Sequence, residues 1–74
     1  MERTLQVIIE QDEDGKYVAE CPSLQGCYTQ GDTFEEVVEN IKEVIDMCIE
    51  ELKEENKEIP VTEIVGIKNI KVTA

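Results

Sequence analysis

The chain has 74 residues, with 18 acidic against 7 basic side chains and a formal net charge of −11. That length holds one small domain, residues 1–74, and leaves its stability marginal enough that association is a common remedy. The acidity argues against direct binding of nucleic acid by this chain, because that affinity comes from Lys and Arg neutralising phosphates. It equally favours fast encounter with a basic protein.

Taken in chain order, residues Thr4 to Glu10 alternate with Leu5, Val7 and Ile9 on one side. Ile8 makes the other side partly apolar, the pattern of an inner strand with some cover on both faces. Asp12, Glu13, Asp14 and Gly15 form a turn signal, since Gly15 accepts a positive φ. Lys16 to Glu20 alternates again, so the two runs predict a β-hairpin. Pro22 and Gly26 break the pattern between Cys21 and Cys27, and Cys27 to Gln30 reads as a short third strand ended by Gly31 and Asp32.

Thr33-Phe34-Glu35-Glu36 fits a capping box: the Thr33 hydroxyl accepts from the Glu36 amide, and Glu36 reaches back to the Thr33 amide. From Phe34, apolar residues recur at spacings of three and four through Val37, Val38, Ile41, Val44, Ile45, Cys48, Ile49 and Leu52. This predicts an amphipathic helix to about Asn56, roughly 35 Å long. Pro60 and Gly66 punctuate an apolar connection, and Lys68 to Thr73 alternates as a last strand. The expected order is β-β-β-α-β, an α+β domain of two layers. The final strand arrives by a helical crossover and is expected to lie parallel to the first. Sheet edges then remain, and edges in a small protein invite pairing with another chain.

The sequence offers little to catalysis. With no histidine, the usual general base and the commonest metal ligand are missing. The spacing of Cys21, Cys27 and Cys48 matches neither a zinc knuckle nor a redox Cys-x-x-Cys. Cys48 falls on the apolar stripe. Cys21 and Cys27 bracket a loop and read as reduced structural thiols, with a disulfide or an adventitious metal as alternatives. No cofactor or metal site is expected. No apolar run is long enough to cross a bilayer, and Met1 to Gln6 lacks the apolar core of a secretion signal. A cytoplasmic location is therefore expected. Glu35, Glu36, Glu39 and Glu43 lie off the apolar stripe, either as a solvated face or as a steering surface for a cationic partner. Tyr17, Pro22 and Tyr28 are candidates for shape-specific contact; the alternative is that both tyrosines pack on the sheet.

The run from Tyr17 through Pro22, Gly26 and Cys27, followed by Thr29-Gln30-Gly31-Asp32-Thr33, Glu35-Glu36 and Glu39-Asn40-Ile41-Lys42-Glu43, resembles the HicB family of antitoxins. The resemblance covers about residues 5 to 50. It implies a partially degraded ribonuclease H-like fold and a partner of the HicA type, a small basic ribonuclease that cleaves messenger RNA. Ribonuclease H enzymes hold metal on carboxylates of the first strand, the helix and the fourth strand. Here the expected final strand has none and the first offers only Glu10 at its end, so a two-metal site is expected to be lost. Many HicB proteins also carry a C-terminal operator-binding module; this chain offers no room for one, and operator binding by it alone is not expected. The function expected is binding and neutralisation of such a toxin, the alternative being a homo-oligomeric assembly or regulatory module without one.

Overall fold

The computed structural model describes residues 3–73. Three short strands, β1 (Ile8–Gln11), β2 (Tyr17–Glu20) and β3 (Tyr28–Gly31), precede one long helix, α1 (Phe34–Glu54). The sheet is antiparallel in the order β1-β2-β3. Its register places Ile9, Ala19 and Thr29 opposite one another, and likewise Glu10, Val18 and Gln30. The sheet period of two then assigns Ile9, Tyr17, Ala19, Thr29 and Gly31 to one face. Ile8, Glu10, Val18, Glu20, Tyr28 and Gln30 take the other.

The hairpin turn forms as its residues dictate. The Gly15 amide donates to the Asp12 carbonyl at 3.1 Å. Asp12 Oδ1 accepts from the amides of Asp14 and Lys16, each at 2.9 Å. Gly15 sits at φ 85°, where a side chain would be strained.

The helix begins at the expected cap. Thr33 Oγ1 accepts from the Glu36 amide at 3.0 Å, but the return bond differs from expectation. Glu36 Oε1 accepts from the Asp32 amide at 3.1 Å, not from Thr33. The bend before the helix turns the Asp32 N–H toward the first turn, so the same carboxylate satisfies a donor one residue earlier. Thr33→Ala is expected to cost about 1 kcal/mol, read as a shift in urea midpoint with unchanged slope. At the far end α1 stops at Glu54, two residues before the expected limit. Asn56 adopts φ 56°, the Asn56 amide donates to the Lys53 carbonyl at 3.1 Å and the Lys57 amide to that of Leu52 at 2.9 Å. This paired closure uses Asn, the residue besides Gly that best tolerates the left-handed region.

The core lies between α1 and the sheet and comprises Ala19, Cys21, Leu24, Cys27, Val37 and Ile41. The helix rests on β3 and β2 and makes no comparable approach to β1. Asn40 Nδ2 donates to the Gln30 carbonyl at 3.0 Å, tying α1 to β3.

Two expectations are corrected here. Lys68–Thr73 forms no strand: residues 57–73 carry no regular hydrogen-bonded structure, and the fifth element of the β-β-β-α-β order is absent among the described residues. A strand needs a ladder partner, and no described residue supplies one to this segment. The α+β class stands on three strands and the helix. The first strand is also an outer strand of the sheet, not the inner one its pattern implied, although Ile8 is half-buried.

Candidate partner-binding surface

The Pro22 loop is built from the inside. The Cys21 amide donates to the Cys27 carbonyl at 2.9 Å, and the Leu24 amide to the Cys21 carbonyl at 3.0 Å. Cys21, Ser23, Leu24 and Cys27 turn inward and are buried, which leaves Pro22 and Gln25 exposed at the surface. Ser23 Oγ lies 2.8 Å from Thr62 Oγ1 and accepts from the Thr62 amide at 3.3 Å, so the loop also holds the chain that follows the helix.

The cysteines are free, with Cys21 and Cys27 buried and Cys48 half-buried beside them. Burial, reinforced by the neighbouring Cys48 and Cys21 thiols, pushes the Cys27 thiol up to about 12. Cys27 is therefore expected to resist alkylation in the native state and to react once unfolded. Its folded pKa lies above the unfolded value, so its contribution to stability is complete below about pH 9 and is lost as pH rises toward 12. The slope is at most about 1.4 kcal/mol per pH unit, measurable by chemical denaturation across that window and absent in Cys27→Ala. Among the described residues no three Cys, Asp or Glu side chains converge as a metal site.

The sequence-nominated surface residues divide between three places. Glu35, Glu36, Glu39 and Glu43 are all exposed on α1. Glu36 is occupied as the cap. Glu39 stands 3.7 Å from Lys42, an exposed pair of little energetic weight. Tyr17 is half-buried on the helix side of the sheet, edge-to-face with Phe34 at 6.1 Å between ring centroids and 87° between planes. Tyr28 lies on the opposite face and is 70% exposed. The exposed side of α1 and the ring of Tyr28 thus point away from each other across the two layers. One flat partner surface cannot cover both; a partner touching both must wrap an edge.

Sequence reasoning did not single out the uncovered sheet face itself. Glu10, Val18, Glu20, Tyr28 and Gln30 line a shallow concavity of about 620 Å³ there. Its signal was present in the period-two alternation, which put Val18 with Glu20, but the notion of cover on both sides concealed it. Met47 was likewise missed. It stands exposed on α1 beside a shallow apolar groove with Val44 and Gly26.

Such an architecture, a three-stranded antiparallel sheet packed against one long helix, defines a small α+β domain. The profile of the HicB-like antitoxins of bacterial toxin–antitoxin systems matches residues 5–71. A UPF0150 protein of Synechocystis sp. is 46% identical over 66 residues, covering 89% of this chain and 90% of its own length. Another, from Thermoplasma acidophilum, is 56% identical over 54 residues, covering 73% and 78% respectively. A third, from Archaeoglobus fulgidus, is 38% identical over 66 residues, covering 89% and 90%. The chain belongs to the HicB-like antitoxin family. Membership implies a toxin–antitoxin role, a toxin as partner and a part that is not enzymatic. Among the described residues no helix is long and apolar enough to cross a membrane.

Proposed function

We propose that the protein is a cytoplasmic antitoxin that binds and neutralises a small, basic, HicA-type toxin that cleaves messenger RNA. The observation that carries this reading is the outward face of α1, where Glu35, Glu39 and Glu43 stand exposed at successive turns. Nucleases that bind RNA present cationic surfaces to phosphate. A helix of carboxylates is complementary to such a surface and competes with the substrate for it. Tyr28 and Pro22, exposed off the helix, supply shape-specific contact at the edge that a partner reaches by wrapping from the helix side. Tyr17 acts through Phe34, holding the start of α1 against the sheet.

The direct test is capture of the tagged protein from its native lysate, followed by RNA-cleavage assays on whatever associates. A basic companion of small size, whose ribonuclease activity falls on adding this protein, supports the reading. A companion that is acidic, or whose cleavage is unaffected, removes it. A second reading, a homo-oligomeric module without a toxin, is favoured by one specific feature: the apolar, unpartnered segment after Gly66.

A further inference from the structure

Of the eight large apolar side chains that stand exposed among the described residues, four follow Ile64. Val65, Ile67, Ile70 and Val72 are 94%, 90%, 74% and 77% exposed; the other four, Tyr28, Phe34, Met47 and Val61, precede it. The composition of residues 67–73, Ile-Lys-Asn-Ile-Lys-Val-Thr, is that of a strand. The segment is part of the family domain, since the profile match continues to residue 71. Yet it projects: the radius of gyration is 14.2 Å, against about 11 Å for a compact domain of this length.

What precedes it is anchored. Arg3 Nη1 donates to the Ile59 carbonyl at 3.4 Å, Ser23 holds Thr62, and the Ile64 amide donates to Gln6 Oε1 at 2.6 Å. These bonds bring the chain alongside the run that leads into β1, and the contacts end there. β1 is an outer strand of the sheet. The other outer strand, β3, has its Gln30 carbonyl taken by Asn40 and the helix laid against it. β1 has neither, so among the described residues its outward N–H and C=O groups are a free ladder.

Charge indicates what pairs with it. All 18 carboxylates lie at or before Glu63, while the segment beyond carries Lys68 and Lys71 and no acid. A strand bearing two lysines and no carboxylate thus suits the edge of an acidic domain, and a second copy of this chain offers that edge and presents the same strand in return.

We propose that residues 67–73 of one copy add as an edge strand to β1 of a second copy, and reciprocally, forming a twofold strand-exchanged dimer. The period of two places Ile70 and Val72 on one face and Lys71 on the other. With the apolar pair directed to the helix side beside Ile9, Lys71 falls on the face that carries Glu10. Exchange of like elements about a twofold axis closes the contact without propagating it.

The test uses the full chain without a toxin, so its failure is separable from that of the antitoxin reading. Light scattering on a sizing column is expected to give twice the chain mass of 8.4 kDa. Ile70→Asp with Val72→Asp is expected to raise the dimer dissociation constant about a hundredfold or more, with helical circular dichroism retained. A wild-type chain that stays monomeric at every concentration overturns the proposal, as does a dimer that survives the double substitution. Should the variant lose its helix, amide hydrogen exchange on the wild type decides. Protection of Ile8–Gln11 and Lys68–Thr73 that rises with concentration supports exchange. Protection independent of concentration means the segment lies on its own sheet, and overturns it.

Discussion

Gly31→Ala is expected to destabilise the domain by about 2–3 kcal/mol, a fall in melting temperature of about 10–20 °C. The cause is steric. A Cβ built on Gly31 meets the Val37 backbone nitrogen at 2.8 Å, its Cα at 3.0 Å and its Cβ at 3.2 Å. None of these atoms has room to yield. Val37 is fully buried, and its amide donates to the Thr33 carbonyl at 3.0 Å, the first hydrogen bond of the helix. To admit the methyl group, α1 must lift from β3 along the face where the two pack most closely. Gly66→Ala is the matched control, because a Cβ there meets nothing within 4 Å. Urea unfolding of both variants checks the expectation; a cost below about 0.5 kcal/mol for Gly31→Ala, the range of ordinary surface substitutions, refutes the account of close packing.

Reversal of Glu35, Glu39 and Glu43 to Lys is expected to slow association with a basic toxin by about tenfold to a hundredfold at low salt. The salt dependence of the association rate should flatten with it. Each reversal adds two positive charges, taking the formal net charge from −11 to about −5, still acidic but with the steering face inverted. The helix itself should tolerate the change. Three carboxylates spaced four apart repel one another, and three lysines in their places do so equally. The remaining costs are the exposed Glu39–Lys42 pair and a lysine near the positive end of the helix, together about 1–2 kcal/mol. Glu36 is left in place because it caps the Asp32 amide. An association rate unchanged across the salt series moves the contact away from α1, toward Tyr28 and the open sheet face.

Much of this molecule is legible in its sequence because the signals are local. The turn at Gly15, the cap at Thr33 and the apolar stripe from Val37 to Leu52 depend on residues within a few positions of one another, and each appears where its chemistry requires. The resemblance to HicB antitoxins was carried by a contiguous loop and helix start, and the family is confirmed over residues 5–71.

Other features were settled only by tertiary structure, where distant residues compete for the same space. Three cysteines without a motif spacing become one group, two buried and Cys48 half-buried beside them, because the Cys21–Cys27 loop folds under α1. Gly31 reads in sequence as a strand end and is in fact the point of closest approach between sheet and helix. Tyr17 and Tyr28, similar in the sequence, part to opposite faces because the register of β2 and β3 gives them opposite parity. The segment Lys68–Thr73 shows the limit most clearly: alternation marks a strand by its composition, but a strand exists only with a partner, and residues 3–73 of one chain do not provide it.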